Sequence, residues 1–151
     1  MRGYTCVGLD NPKTGINLGS VMRAAGLFGV TFVAASGRRC RVDRTDPMKA
    51  HRHVPLIYCD DVTAVVPYDC VPIAVEIADG AKPLPEFTHP ERAYYIFGGE
   101  DATLGERIIS RCACVLWIPT PRCLNLAAAV NVVLYDRLAK SRQRWSNPDL
   151  H

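Results

Sequence analysis

No stretch of the 151-residue chain approaches the about 18 consecutive apolar residues needed to cross a bilayer, so no membrane span is expected. The seven cysteines form no C-x-x-C pair and no regular framework, which argues against a disulfide scaffold or a zinc knuckle. Cys112 and Cys114 stand two apart, a spacing that puts both side chains on one face of a strand, and no second pair completes a ligand set. Metal is therefore not expected. Cys6, Cys70, Cys112 and Cys114 lie in apolar runs and read as buried thiols, which fits a reducing, cytoplasmic location. No G-x-G-x-x-G follows the first apolar run and no G-x-x-x-x-G-K-[ST] occurs, so neither a Rossmann nor a P-loop nucleotide site is supported. No nucleophile elbow is present, and His51, His53, His89 and His151 fall in polar loops or the tail, which leaves a hydrolase with little support. Residues 1–9 carry one basic side chain and no small-residue cleavage pattern, so no signal peptide is expected. Repeats, low-complexity stretches and interdomain linkers are also missing. One domain is expected over residues 1–145, with a flexible polar tail at 146–151.

What is present is ordinary in bulk and informative in order. The composition is 48% hydrophobic and 22% charged, typical of a soluble globular domain. The net charge of +3 is mild, but its distribution is uneven: Arg38, Arg39, Arg41 and Arg44 precede Lys49, His51, Arg52 and His53, and a second group spans Arg137, Lys140, Arg142 and Arg144. Such clusters attract a polyanion. Apolar runs predict strands at 3–9, 30–35, 54–59, 71–77, 93–97 and 113–118. Helical periodicity predicts helices at 16–29, 60–66, 103–111 and 124–142. Asn17 reads as the cap of the first and Asp60 or Asp61 as the cap of the second. Residues 36–52 and 78–92 read as loops. The alternation gives an α/β fold with a mainly parallel sheet flanked by helices.

Three segments carry the chemistry. In the first, Asn17, Ser20 and Arg23 are spaced by three at the start of a helix, presenting an amide, a hydroxyl and a guanidinium away from the apolar stripe. A helix start attracts anions, and the planar fork of an arginine suits a phosphate. In the second, a buried strand runs into Gly98-Gly99-Glu100, so an acid stands where open α/β sheets bind ligands, beyond the carboxyl end of a strand. In the third, Ile118-Pro119 ends a strand and Leu124-Asn125 opens a long apolar helix whose small residues, Ala127 to Ala129, permit close packing against another subunit.

Taken together, N-x-G-x-x-x-R at Asn17 to Arg23, the F-G-x-E-like pattern from Phe97 to Gly105, and I-P…L-N from Ile118 to Asn125 resemble the SpoU/TrmH family of SPOUT RNA methyltransferases. The resemblance covers nearly the whole chain and is to the minimal, TrmL-like type without an added RNA-binding domain. It implies a C-terminal trefoil knot, a homodimer with the active site near the subunit interface, and S-adenosyl-L-methionine as methyl donor. It implies that Glu76, Ile77, Gly98, Ile118, Cys123 and Leu124 hold that donor. Arg23 would be the principal catalytic residue, with Asn17 supporting it. Arg23, Ser20, Glu100, Asn125, Arg38 and Arg39 are the expected RNA contacts. The reaction implied is methyl transfer to a ribose 2′-hydroxyl, on tRNA and preferably its anticodon loop, with ribosomal RNA as the alternative. Cys123 and Ala127 depart from the family, which usually has serine at both positions. That departure also raises the reading of an RNA-binding dimer of low or no activity.

Overall fold

The computed structural model describes residues 3–40, 49 and 52–141. Its centre is a seven-stranded sheet, parallel at every pairing: β1 (Tyr4–Asp10), β2 (Val33–Ser36), β3 (Leu56–Cys59), β4 (Val71–Val75), β5 (Lys82–Pro83), β6 (Arg92–Gly98) and β7 (Cys114–Trp117). The strands lie in the order β3-β2-β1-β6-β4-β7-β5. β1 and β6 share the longest register, from Tyr4 opposite Arg92 to Asp10 opposite Gly98. Their near-continuous apolar sequences follow from position, because a central parallel strand is covered on both faces.

The two faces have separate cores. Val7, Leu9, Tyr95 and Phe97 point toward α1 (Gly15–Leu27) and α3 (Leu126–Lys140), which also pack on each other. Cys6, Tyr94 and Ile96 point the other way, toward a short turn of helix at Val62–Val65 and α2 (Glu106–Ile109). α1 buries Leu18, Val21, Met22 and Ala25 of the stripe that helical spacing predicts, while its fifth member, Phe28, caps the helix and is half-buried. Among the described residues no helix is long and apolar enough to cross a membrane.

Local chemistry moved several boundaries. Thr14, not Asn17, caps α1: its hydroxyl accepts the Asn17 backbone N–H. β2 begins at Val33 rather than Val30, because Gly29 (φ +67°) ends α1 and the Val30 N–H still bonds back to the Ala25 carbonyl. The 78–92 loop contains the two-residue strand β5, whose proline is tolerated at the sheet edge. Cys112 and Cys114 do not share a face. Cys112 precedes β7 and packs with the α2-side core, whereas Cys114 packs with the α1/α3-side core. The 146–151 tail and the basic residues Arg41, Arg44, His51, Arg142 and Arg144 lie outside the described residues.

His89, read from sequence as a loop residue, is buried, with its side chain 5% exposed. It joins the 84–91 segment to the end of α3. Arg137 donates to the Tyr95 hydroxyl (3.4 Å), which lies 2.5 Å from His89 Nδ1, and His89 Nε2 lies 2.8 Å from Asp136. Lys140 closes the chain on the same carboxylate at 2.7 Å and also donates to the Leu84 and Phe87 carbonyls. Burial pushes the Tyr95 hydroxyl up to about 12, so it keeps its proton and donates it to Nδ1. Nε2–H then donates to Asp136, which makes His89 a neutral link rather than half of an ion pair. Burial pushes its pKa below the ordinary value, and the nearby Arg137 and Lys140 cations act in the same direction, against the pull of Asp136.

A histidine with a depressed folded-state pKa binds fewer protons in the folded chain than in the unfolded one. Its contribution is complete above the unfolded value near 6.5 and is lost as pH falls through that value toward the lower folded one. The thermal midpoint should therefore fall as pH is lowered from about 7.5 to 5.5, and His89→Gln should flatten that slope. Equal slopes for the two proteins in melts at constant ionic strength would remove His89 as the source.

Candidate functional site

The sheet directs attention to one edge. From β1 the chain lays β2 and β3 on one side, while β6, β4, β7 and β5 lie on the other. The loops leaving the neighbouring strands β1 and β6 lead to α1 on one face and α2 on the other, and open α/β sheets bind ligands in the crevice at such a point, beyond the strands' carboxyl ends. A cavity of about 610 Å³ lies at the opposite end, lined in part by Thr5, Thr31, His89 and Arg137. It is not where the three sequence segments meet.

They meet at Glu100. Its carboxylate accepts the Lys13 N–H (2.7 Å), the Thr14 N–H (3.3 Å), the Thr14 hydroxyl (3.2 Å) and Asn17 Nδ2 (2.6 Å). Asn17 Oδ1 in turn accepts Asn125 Nδ2 at 3.0 Å. Asn125 Oδ1 caps α3 by accepting the Ala127 and Ala128 N–H groups at 2.9 and 3.3 Å. The cap fixes which end of the Asn125 amide faces Asn17, and the carboxylate fixes which end of Asn17 faces Glu100. A relay of side chains thus ties the loops after β1, β6 and β7. Partial burial raises the Glu100 pKa, but the bonds from Asn17 and the 13–14 backbone outweigh it and hold the carboxyl below its ordinary range.

The rest of the first segment lies on α1. Ile16, Ser20, Arg23 and Leu27 are all exposed and recur at helical spacing along one face. Arg23 makes no hydrogen bond or ion pair with the described residues, and it sits about 9 Å along the helix axis from Asn17. Its guanidinium is available to an anion.

Arg38 is exposed. Arg39 is one-third exposed (33%) but committed: it grips Asp101 through both terminal nitrogens (2.8 and 2.9 Å). It also donates to the Asn11 side-chain and backbone oxygens at 3.2 and 2.5 Å. The Arg39 guanidinium holds the Asp101 carboxyl below its ordinary range. Asn11 itself has φ +51°, and its N–H donates to Ser36, whose hydroxyl donates to Asp10. Gly99 is compelled here, because a Cβ would stand 2.6 Å from the Asn11 carbonyl oxygen and 3.0 Å from Arg39.

The expected donor-binding residues lie at the ends of β4, β6 and β7, which are neighbours in the sheet. The Glu76 N–H donates to the Leu116 carbonyl (2.9 Å), and its carboxylate accepts the Leu104 N–H (2.8 Å) and the Ile77 N–H (2.9 Å). Gly98 lets the following loop fold back, since a Cβ would stand 2.9 Å from the Ala102 carbonyl. Ile118 is half-buried and its carbonyl accepts the Thr120 N–H. Cys123 is exposed, and Ile77 (66%) and Leu124 (38%) leave apolar side chains uncovered at the same edge. Among the described residues no cluster of side chains could hold a metal ion. Thr14, Asn11 and Asp101 were not anticipated. The threonine three residues before Asn17 was the legible signal for the cap, whereas nothing local announced the Asp101 partnership.

The sequence pattern of the SpoU rRNA Methylase family matches residues 4–135. Among curated proteins none matches the chain in sequence. A solved protein described for 2-OH methylation of C/U34 on tRNA shares 27% identity over 91% of this chain and 96% of its own, with a TM-score of 0.77. The AdoMet-bound rRNA methyltransferase from Sinorhizobium meliloti shares 22% identity over 92% of this chain, which spans 57% of that protein's length (TM-score 0.79). The TrmH/SpoU tRNA modifying enzyme of A. aeolicus shares 17% identity over 89% of this chain and 74% of its own, again with a TM-score of 0.79.

The relay predicts a stability signature. Asn125→Ala loses both the α3 cap and the Asn17 bond, and should cost about 1–2 kcal/mol in urea unfolding. Asn125→Asp keeps an acceptor for the cap and should cost less. Equal losses in the two variants would show that the cap is not what Asn125 contributes.

Proposed function

The chain belongs to the SpoU rRNA Methylase family, and on that premise we propose that it is an S-adenosylmethionine-dependent RNA 2′-O-methyltransferase acting on tRNA, with the anticodon loop favoured. The observation that carries this reading is the relay from Glu100 through Asn17 to Asn125, which joins all three family segments beside an uncommitted arginine, Arg23. tRNA is favoured over ribosomal RNA because the similar protein described for tRNA is matched over nearly its whole length.

The ends of β4, β6 and β7 fit the donor. They offer uncovered apolar side chains, Ile77 and Leu124, beside backbone that Gly98 keeps open to close approach. Glu76, Ile77, Gly98, Ile118, Cys123 and Leu124 would hold it, and when bound it supplies an electrophilic methyl group on sulfur. Glu76 shapes this edge by bonding the 104 backbone with its carboxylate. A ribose hydroxyl becomes a competent nucleophile only if its developing negative charge is stabilised or its proton removed. Arginine is a permanent cation, so Arg23 acts by gripping an RNA phosphate and the forming alkoxide, lowering the barrier through placement and charge, while the hydroxyl proton leaves to a phosphate oxygen or to water as the oxygen–methyl bond forms and the methyl–sulfur bond breaks. Asn17, fixed at both ends of its amide, orients the first turn of α1 and therefore the approach of Arg23. Ser20, Arg38 and Asn125 line the approach for RNA. Ala127 is buried and its N–H is already bonded by Asn125, so the cap does not need a hydroxyl there.

The same reading includes a homodimer and a knotted C-terminal segment. Ile16 (84% exposed) and Leu27 (74%) flank Arg23 on α1, and the packed helix α3 exposes Val132 (38%) and Tyr135 (62%). Covering this apolar face with a second copy brings Arg23 to the interface. Seven free cysteines suit a reducing compartment, the cytoplasm.

Three experiments test the reading. Labelled methyl transfer from S-adenosylmethionine to total tRNA and, separately, ribosomal RNA, followed by nucleoside analysis, should yield a 2′-O-methylated nucleoside from the tRNA pool. Arg23→Ala should lower single-turnover transfer by about a hundredfold or more while the dimer persists in sedimentation. Near-normal transfer would remove Arg23 from the chemistry. Tyr135→Asp should shift the protein to monomer, and an unchanged sedimentation coefficient would reject this face as the interface.

A further inference from the structure

We propose that Arg39 is a positioning residue for the reaction: locked on Asp101 and Asn11, it holds the 99–102 turn so that Glu100 meets the loop carrying Asn17. The effect on turnover rests on the methyltransferase reading, while the positioning itself does not.

The guanidinium fork spans two loops. Toward the loop after β1 it donates twice to Asn11, and toward the loop after β6 it makes a bidentate pair with Asp101. Asp101 is the covalent neighbour of Glu100, whose own carboxylate draws on Lys13, Thr14 and Asn17. Two adjacent acids are therefore clamped to the same incoming loop, one by backbone and amide donors and the other through Arg39. Gly99 completes the fit, since its lack of a side chain lets the turn lie against Asn11 and Arg39.

Charge makes the same case. Glu100 and Asp101 stand side by side where an RNA phosphate would arrive. Lys13 approaches Asp101 only to 3.9 Å, so Arg39 is the principal neutralising partner. Without it Asp101 repels both Glu100 and the substrate, and the turn loses its fixed point. A lysine keeps the charge but cannot span Asn11 and Asp101 with a planar fork. Contacting RNA directly would require Arg39 to abandon Asp101, and that is the rival role the test must separate.

The test compares Arg39→Ala, Arg39→Lys, Asp101→Asn and the Ala/Asn double variant with wild type. At saturating RNA and donor, kcat should fall about tenfold or more in each single variant, while the KM for RNA moves little. The double variant should be no slower than the slower single, because the two residues act as one unit. Arg39→Lys should not rescue. The opposite pattern would make Arg39 an RNA-phosphate ligand and overturn the proposal: KM raised in Arg39→Ala, the salt slope reduced by about one, and kcat unaffected in Asp101→Asn. A second measurement does not need turnover. Exchange of the Lys13 and Thr14 amide protons, which are held by Glu100, should be about tenfold faster in Arg39→Ala and Asp101→Asn than in wild type. Unchanged exchange in both would sink the positioning role even if activity fell. Faster exchange in a protein that methylates no RNA would support the positioning role and reject only the assigned reaction.

Discussion

One carboxylate organises the functional edge of this protein. Glu100 takes donors from two backbone amides, a hydroxyl and a side-chain amide, all from residues 13–17. An ionised carboxylate has about four acceptor positions and no proton to misdirect, so it can satisfy such a set where a glutamine, which must also donate, cannot. The same bonds that fix the loop keep the acid ionised, because each favours the charged form. The sheet order explains why this acid and not another. β1 and β6 are neighbours although their first residues, Tyr4 and Arg92, lie 88 positions apart in sequence, so the loops that leave them are the ones that can touch.

α3 is held in two chemically different ways. At its start Asn125 closes the helix and touches Asn17, which makes the cap part of the reactive edge. Near its end Asp136, Arg137 and Lys140 grip His89, Tyr95 and the carbonyls of the 84–91 segment. The first attachment is exposed and made of neutral amides, and the second is largely buried and made of titratable groups. Function and anchorage are thus separated along a single helix, and a change in protonation at one end leaves the other's hydrogen-bonding groups untouched.

Much of this was legible in the sequence. Hydrophobic runs located six of the seven strands, and the motif order located Asn17, Glu100 and Asn125, which the structure brings into one relay. The missing strand, β5, has two residues, one of them proline, and too little periodicity to register. Thr14 was overlooked as a cap because Asn17 is an equally good capping residue by type, and only the backbone geometry distinguishes them. Arg39 read as one basic residue among several, since its partner lies 62 positions away and charge alone does not reveal commitment. His89 read as a residue of a polar loop, whereas what buries it comes from β6 and α3. In each case the sequence named the group and the tertiary fold supplied the partner.

The position of β7 has a consequence for how the molecule is made. It lies between β4 and β5, both synthesised earlier, and so enters a space whose two walls already exist. Until it does, the outer edge of β4 and the residues of β5 have no ladder partner, and Leu116 is missing from the core that Leu126, Val130 and Val133 join. Emergence of the amino-terminal half from the ribosome therefore cannot complete the sheet. The last strand is a closing wedge, and the reactive edge is completed only after it, because Asn125 arrives on the chain that follows.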